Sequence, residues 1–316
     1  MDIHELGLLA KRTRSMRETG IALLFASGLL ALFLVLPLHP GKTTPSTAIV
    51  VATSTTPNAF AHVPIDAKAA IVYDVALGKT LYAKNADAQL PLASLTKLLT
   101  IYAALSELSP NTPITIPADV THLYPPHAFS AGQVFTLSDL ARLTLTASLN
   151  DGAAAIAEAT AAHENRPLSS MLAGAAAALD LSQTYALNGN GLDVSTAVSG
   201  GYGSAYDLAR LAGALVEKSP TITAATTHSS AQAVSEGGTS FSVRNTDPIV
   251  TTIPHLLLSK TGYTDLAGGN LALVFDVGIG HPIAIIVLGS TLKSRFTDGA
   301  TLVAATLAHF AGIASL

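Results

Sequence analysis

The sequence predicts an α+β domain, in which an antiparallel sheet is built from both ends of the chain and a block of helices is inserted between. Segments rich in β-branched residues occur at 70–87 and again between 255 and 289, and helical patterns fill the interval. Strands separated by a run of helices are typical of an α+β domain, whereas regular alternation of strands and helices indicates a parallel sheet.

The first elements are a hairpin and a helix. Residues 70–87 carry β-branched and aromatic residues on both sides of the turn signal Leu77-Gly78-Lys79, which predicts two strands. The following segment, 92–105, has large apolar residues at helical spacing and predicts a helix.

A block of four helices and a closing set of strands follow. Thr136-Leu-Ser-Asp139 has the form of a capping box and predicts the start of the first of these helices, which ends near residue 147. Apolar periodicity predicts the other helices at 151–162, 168–179 and 206–217. The closing strands are predicted at 255–261, 270–277 and 282–289, and a last helix at 295–310.

Residues 21–38 form an uncharged stretch that predicts one membrane-spanning helix before the domain. At 1.5 Å per residue such a helix is about 27 Å long, close to the thickness of the hydrocarbon core. Four basic residues precede it, so the positive-inside rule predicts a cytoplasmic N-terminus at 1–20 and an exported remainder. A buried core helix is the competing interpretation, but the stretch lacks a polar face.

Residues 39–62 are predicted to form a solvated stalk, because Ser, Thr and Pro dominate them. Ala59-Phe60-Ala61 has the small-x-small form of a signal-peptidase site, yet it lies too far beyond the apolar stretch to favour cleavage. We therefore expect an uncleaved signal anchor, with residues 63–316 as a single domain on the outer face of the cell membrane.

The composition excludes several classes of function. The net charge of −4 disfavours a nucleic-acid partner, and the absence of Cys excludes disulfides, Cys-zinc sites and a Cys nucleophile. The ten His residues do not form a His-Glu-x-x-His motif, so no metal and no cofactor are expected.

Ser94-Leu-Thr-Lys97 is the first of three short motifs that suggest catalysis. The spacing puts Ser94 and Lys97 on one face of the predicted helix, a turn apart. A Ser nucleophile needs an adjacent base, and a Lys amine serves only if burial or a second cation lowers its pKa. Lys260 is the candidate cation. The alternative is a helix-capping Ser beside a solvated Lys, and a second Ser-x-x-Lys at 290–293 shows that the pair alone is weak evidence.

Ser148-Leu-Asn150 is the second motif, and it lies between two predicted helices. Residues two apart in an extended segment point the same way, so the pair could pass a proton and hold a substrate amide. An N-cap network at Asn150 or Asp151 is the alternative.

Lys260-Thr261-Gly262 is the third motif and occurs once in the chain. A Gly in a strand lets another backbone approach closely, and a sheet edge with such a gap accepts an extended peptide by strand addition. A strand that ends in a turn is the alternative.

In this order the motifs match the active-site set of serine penicillin-binding proteins and β-lactamases. The sequence around the motifs resembles that of the low-molecular-mass D-alanyl-D-alanine carboxypeptidases over essentially residues 63–316. The segments that carry the resemblance are AKNADAQLPLASLTKLLT, SLNDGAAAIAE, LLSKTGYTDLAGGNLALV and VLGSTLKSRFTDG. The resemblance implies a β-lactamase/transpeptidase-like fold, with an antiparallel sheet flanked by helices and an all-helical subdomain.

The resemblance also implies roles for the residues of the first two motifs. Ser94 is implied to be the nucleophile that accepts the acyl group, and Lys97 its general base. Ser148 is implied to relay a proton to the leaving amine, and Asn150 to hold the substrate amide.

Further implied roles fall on the third motif and on the last helix. Lys260 is implied to supply positive charge and Thr261 to bind the terminal carboxylate, beside Gly262. The backbone N–H groups of Ser94 and Tyr263 are implied to form the oxyanion hole. Arg295 falls where some relatives place an Arg that faces the substrate carboxylate, and a surface Arg is the alternative.

The implied reaction is removal of the terminal D-Ala from peptidoglycan stem peptides, with β-lactams as acylating inhibitors. A D,D-endopeptidase that cuts cross-links shares the same motifs and stays open. A β-lactamase is disfavoured because no Glu-x-x-x-Asn follows the Ser-x-Asn motif. A non-catalytic wall-binding module would tolerate loss of Ser94 or Lys97, and both are present.

Two departures from the family pattern stand out. The chain stops after the last predicted helix, so we expect neither the C-terminal β-rich domain nor the terminal amphipathic anchor of many relatives. The sequence AGGNL has Gly269 where many relatives have an aromatic residue, which puts the pocket wall in question.

Overall fold

The computed structural model describes Met16 and residues 58–312. The predicted anchor at 21–38 and most of the predicted stalk lie outside these residues. Among the residues that are described, none of the helices is both long enough and apolar enough to cross a bilayer.

Strands and helices alternate in blocks along the described chain. The strands are β1 (Ala69–Asp74), β2 (Lys79–Lys84), β3 (Leu90–Pro91), β4 (Pro113–Thr115), β5 (Val134–Thr136), β6 (Tyr185–Ala186), β7 (Gly201–Gly203), β8 (Ser230–Val234), β9 (Ser240–Arg244), β10 (Leu256–Thr264), β11 (Gly268–Asp276) and β12 (Pro282–Ser290). The α-helices are α1 (Thr96–Glu107), α2 (Leu137–Ala147), α3 (Asn150–His163), α4 (Leu168–Ala178), α5 (Ala205–Lys218), α6 (Pro220–Ala224) and α7 (Ser294–Phe310).

The main sheet joins the two ends of the domain, as the sequence predicts. Its strand order is β10-β11-β12-β1-β2, and every neighbouring pair is antiparallel. β1 pairs with β12 along its whole length, from Ala69 opposite Leu288 to Asp74 opposite Ile283. A chain segment near residue 70 is therefore held by one near residue 285, and the helices lie between them in sequence.

Helices cover both faces of this sheet. Alternate strand residues point to opposite faces, so a strand that is covered on both sides is apolar at every position. β1, β11 and β12 follow this rule, with almost every residue buried. One face packs against α5 and the helical region, and the other packs against α7 through Leu302 and Val303.

The helical region surrounds α1, which contacts α3, α4 and α5. The helix α2 of this region begins where the sequence predicts, since Thr136 Oγ1 accepts a hydrogen bond from the Asp139 N–H at 3.1 Å and caps the helix. Thr136 therefore caps the helix as predicted, while the Asp139 carboxylate accepts a hydrogen bond from Arg142. The helix predicted from residue 92 is different, because Ala93–Leu95 form a 3₁₀ turn and α1 begins only at Thr96.

The first closing strand is longer than predicted. The expectation that a strand ends at Thr261 is wrong, because β10 continues to Thr264. Gly262 pairs with Asn270 and Tyr263 pairs with Gly269 on β11, so the ladder passes through the glycine without interruption. The pairs β4–β5 and β8–β9 and the β3-β7-β6 sheet were not predicted, because their strands have only two to five residues and are too short to give a clear periodic pattern.

Asp298 connects the start of the domain to α7. Its carboxylate accepts hydrogen bonds from the backbone N–H groups of Asp66 (3.1 Å) and Ala67 (3.0 Å) and from the Ser290 hydroxyl (2.7 Å). Because the Asp298 side chain is buried, water cannot take its place as the acceptor for these three donors.

We expect Asp298→Ala to lower the free energy of unfolding by about 3 kcal/mol, because several hydrogen bonds to a buried charge are lost. Thermal or urea denaturation measures the change, and Asp87→Ala at an exposed carboxylate is the matched control. Equal stability of the two variants would contradict the structural role of Asp298.

Candidate active site

Ser94 and Lys97 meet at the start of α1. The Lys97 Nζ lies 2.7 Å from Ser94 Oγ, 2.8 Å from Asn150 Oδ1 and 2.7 Å from the Asn190 carbonyl oxygen. The two carbonyl oxygens can only accept hydrogen bonds, so they take two N–H groups of the amine. In a neutral amine the remaining lone pair then faces the Ser94 hydroxyl, which is the arrangement that a general base requires.

The environment of Lys97 favours this neutral form. Its side chain is completely buried, and burial lowers the pKa of Lys97 to about 7 against the opposing influence of the Asp151 carboxylate. Of the two causes expected from the sequence, burial and the charge of Lys260, burial is the one that lowers the pKa of Lys97. Burial lowers the pKa of Lys260 well below its ordinary value, and the positive charges of Lys97 and Arg295 lower it further.

The turn between α2 and α3 presents Ser148. This residue caps α2 in the left-handed conformation, with φ of 59°, which aims its side chain back across the site. The Lys260 Nζ donates to Ser148 Oγ at 2.8 Å and to the Thr261 carbonyl oxygen at 2.7 Å. The second and third motifs therefore touch directly.

Asn150 is fully engaged within the protein. Its Oδ1 accepts from Lys97, its Nδ2 donates to the Tyr124 carbonyl oxygen at 2.8 Å, and its backbone N–H donates to the Pro126 carbonyl oxygen at 2.7 Å. It bridges the base and the loop at 124–126. Its expected contact with a substrate amide stays a prediction, since both groups of the side-chain amide already have partners here.

The third motif runs beside the nucleophile. A Cβ added to Gly262 would lie 3.0 Å from the Leu92 carbonyl oxygen and 3.3 Å from the Ser94 nitrogen, so a side chain at this position would crowd the turn that carries Ser94. The Thr261 hydroxyl lies 2.6 Å from that of Thr246, and Tyr263 is about half exposed.

Arg295 is buried rather than at the surface. Its Nη1 donates to the Gly262 carbonyl oxygen at 2.6 Å, and its guanidinium lies over the Phe296 ring. The alternative of a surface Arg on the last helix is therefore wrong. In this structure Arg295 supports the strand that carries the third motif.

A cleft of ≈ 360 Å³ opens beside these groups. The residues that line it come from the first two motifs, the loop at 124–126, the segment at 191–193 and the end of β10; they are Ser94, Tyr124, Pro125, Pro126, Asn150, Gly191, Leu192, Asp193, Tyr263, Thr264 and Asp265. A cavity of ≈ 390 Å³ at the opposite end of β10, beside His255 and Ile279, contains no motif residue. The cleft is therefore the candidate active site.

Sequence reasoning missed part of this cleft. Tyr124 is 76% exposed at its edge, and Asp193 accepts a hydrogen bond from the Thr264 hydroxyl at 3.0 Å, which ties the 191–193 segment to β10. The Pro125-Pro126 pair was the available signal in the first loop, because it predicts a stiff turn but no chemistry. Gly269 does not line the cleft. A Cβ there would overlap the Thr291 carbonyl oxygen, so local packing leaves no room for a side chain.

The D-alanyl-D-alanine carboxypeptidase family of peptidases (S11) matches residues 53–291 of the chain. The chain belongs to this family. Its members are serine hydrolases, which agrees with a buried Lys directed at a Ser hydroxyl.

Two curated relatives are similar to this family member. A D-alanyl-D-alanine endopeptidase of Pseudomonas aeruginosa is 27% identical over 267 residues, which cover 81% of this chain and 84% of the relative. The D-alanyl-D-alanine carboxypeptidase DacF of Bacillus subtilis is 30% identical over 239 residues, 73% of this chain. The match spans only 59% of the length of DacF.

Solved structures show the same penicillin-binding fold. A D-alanyl-D-alanine carboxypeptidase of Mycobacterium tuberculosis matches with a TM-score of 0.69 and 24% identity, over 80% of this chain and 96% of its own. Penicillin-binding protein D2 of Listeria monocytogenes in an ampicillin-bound form matches with a TM-score of 0.66 and 25% identity, over 77% and 98% of the two chains. The predicted β-lactamase/transpeptidase-like α+β fold is thereby confirmed.

The pKa of Lys97 predicts how acylation of this peptidase depends on pH. If Lys97 is the base for Ser94, it acts as the neutral amine, and a pKa of about 7 makes that form dominant above neutrality. We expect the second-order rate of acylation by a β-lactam to fall about tenfold per pH unit below pH 7 and to level off above it. Stopped-flow or gel-based acylation between pH 5 and 9 measures the profile, and a flat acid limb would contradict Lys97 as the base.

Proposed function

We propose that this serine peptidase is a D-Ala-D-Ala carboxypeptidase that removes the terminal D-Ala from peptidoglycan stem pentapeptides. The observation that carries the proposal is the Lys97 amine, whose N–H groups are taken by two carbonyl oxygens and whose remaining contact is Ser94 Oγ at 2.7 Å. Family membership supplies the class of bond that is cut.

The proposed acylation starts at Ser94. Lys97 takes the hydroxyl proton while Oγ attacks the carbonyl carbon of the penultimate D-Ala. The backbone N–H groups of Ser94 and Tyr263 are proposed to stabilise the oxyanion, which in other enzymes contributes about 10²–10³ in rate for one donor. The C–N bond then breaks and leaves an ester on Ser94.

The leaving D-Ala needs a proton on its nitrogen. Ser148 is proposed to relay to this nitrogen the proton that Lys97 took from Ser94, which returns Lys97 to its neutral form. The Ser148 hydroxyl accepts a hydrogen bond from Lys260, which holds it in position. Water then attacks the ester, with Lys97 again as the base, and releases the shortened peptide. Penicillin is proposed to acylate Ser94 by the same first step, and the ampicillin-bound Listeria relative supports this.

The terminal carboxylate of the substrate is proposed to bind Thr261 and Lys260. Lys260 is held in surroundings that disfavour its charge, because burial lowers its pKa. An arriving carboxylate raises this pKa again, so the site becomes charged when an anionic end is present. Peptides without a C-terminal carboxylate lose this stabilisation.

A D,D-endopeptidase is the second candidate, since the Pseudomonas relative with that name is matched over 84% of its length. We propose to separate the two with purified pentapeptide and cross-linked muropeptides, and to read the products by mass spectrometry. Loss of one alanine with intact cross-links supports the carboxypeptidase. Cleaved cross-links with intact pentapeptide would replace it by the endopeptidase.

We further propose that the protein is held at the cell membrane by residues 21–38, with 1–20 in the cytoplasm, 39–62 as a stalk and the catalytic domain on the outer face. The uncharged stretch and the basic residues before it support this topology. External protease treatment of intact spheroplasts tests it. Release of a catalytic fragment supports the topology, and full protection would refute it.

Ser94→Ala is expected to abolish both peptide turnover and labelling by fluorescent penicillin, because no other hydroxyl contacts Lys97 among the described residues. Ser290→Ala is the matched control. It removes the Ser of the second Ser-x-x-Lys, whose hydroxyl is bonded to Asp298 instead. Labelling that survives in the Ser94 variant would refute the nucleophile, and thermal denaturation shows that the variant is folded.

A further inference from the structure

A short segment outside the three motifs contacts both sides of the site. It consists of Asn245, Thr246 and Asp247, and it lies between the end of α2 and strand β10. The backbone N–H of Thr246 donates to the Thr146 carbonyl oxygen at 3.2 Å, two residues before Ser148. The hydroxyls of Thr246 and Thr261 are 2.6 Å apart. Thr246 therefore connects the element that carries Ser148 to the strand that carries Lys260.

Asp247 is fixed to the same strand. Its Oδ2 accepts from the Ser259 hydroxyl at 2.6 Å, its Oδ1 accepts from the Ile249 N–H at 2.9 Å, and it is 2% exposed. Ser259 and Thr261 are two residues apart on β10 and point to the same side. The segment thus hydrogen-bonds to Ser259 and Thr261, two neighbouring side chains on one side of β10.

The hydroxyl pair has two possible directions, and only one suits an anionic ligand. If Thr261 donates to Thr246, its oxygen presents lone pairs to an incoming carboxylate and repels it. If Thr246 donates to Thr261, the Thr261 proton is free to donate to the carboxylate. A carboxylate at Thr261 therefore selects the direction in which Thr246 is the donor.

The charged groups around Lys260 also involve this segment, through Asp247. Lys260 and Arg295 are both buried basic groups, and the negative charge of Asp247 raises the pKa of each of them. The groups that act on Lys260 are Lys97 and Arg295, which lower its pKa, and Asp247, which raises it. Asp247 thus opposes the effect of Lys97 and Arg295 on the pKa of Lys260. Burial raises the pKa of Asp247 itself, while Lys260 and Arg295 lower it.

We propose that Thr246 and Asp247 are positioning residues for recognition of the substrate carboxylate. Thr246 turns the Thr261 proton toward the carboxylate, and Asp247 keeps the charge of Lys260 available when the carboxylate binds. The inference rests on the proposed function, in that the carboxylate is taken to bind at Thr261 and Lys260.

Thr246→Val tests the hydroxyl in the full-length protein. The readout is the acylation rate with benzylpenicillin, which has a free carboxylate, relative to its methyl ester, which has none. We expect the variant to lose about three- to tenfold of this preference, the effect of one hydrogen bond, with little change toward the ester. Thr246→Ser retains a donor and should restore the preference.

Thr306→Val is the matched control, because Thr306 is a buried Thr whose hydroxyl donates to the Leu302 carbonyl oxygen on α7. It should leave the preference unchanged. An equal loss toward acid and ester in Thr246→Val, or failure of Thr246→Ser to restore the preference, would refute the positioning role.

Asp247→Asn tests the charge through the pH profile of the same preference. Without the carboxylate, the protonated form of Lys260 is less stable and disappears at lower pH. We expect the alkaline fall of the preference to move to lower pH, while Ser259→Ala, which keeps the Asp247 carboxylate, stays close to the wild type. An unmoved profile would refute the role of Asp247.

Acylation by penicillin does not depend on which peptide is the natural substrate. If the wild-type protein prefers the acid over the ester but does not trim pentapeptide, the proposed function fails and this inference stands. If it trims pentapeptide and Thr246→Val leaves the preference intact, the inference fails alone.

Discussion

The burial of one lysine amine is the constraint on which the site depends. Lys97 has no exposed surface, and its three polar neighbours come from the 3₁₀ turn before α1, the start of α3 and the segment before β7. A buried ammonium is costly unless it is compensated, and a buried amine needs partners for its N–H groups. The protein supplies two carbonyl acceptors and leaves the third direction to Ser94. The arrangement that makes the amine tolerable in the interior is also the one that the proposed role as a base requires.

Close backbone packing holds these elements at the required distances. Gly191 has φ of 79°, and a Cβ there would overlap the Ala93 carbonyl oxygen. Gly262 allows a similar approach of β10 to the turn that carries Ser94. The site is thus formed where a strand, a loop and a helix start meet without side chains between them. Arg295 supports the strand from beneath through the Gly262 carbonyl.

Sequence patterns predicted the sheet and the motifs well because both depend on local signals. Segments rich in β-branched residues indicated β11 and β12, and Thr136 with Asp139 marked the start of α2. The three motifs were found by their spacing, and the structure places Ser94 beside Lys97 and Ser148 beside Lys260. Local sequence patterns do not predict contacts between segments that are far apart in the chain. The Thr246–Thr261 pair and the burial of Arg295 are of this kind, because each depends on how the sheet and helices pack. The extent to which burial lowers the Lys97 pKa is also of this kind, since burial is a property of the fold and not of spacing.

The pairing of β1 with β12 has a consequence for when activity can appear. In the proposed topology the chain is translocated from its N-terminal end, so Ser94 and Ser148 leave the membrane channel long before Lys260 and Arg295. Until β10 to β12 arrive, β1 has no partner on one edge, and Ser148 lacks the amine that contacts it. The catalytic centre is therefore assembled by the last strands to emerge. A nascent chain tethered at the cell membrane would be unable to cut the wall or to be acylated before its export is complete.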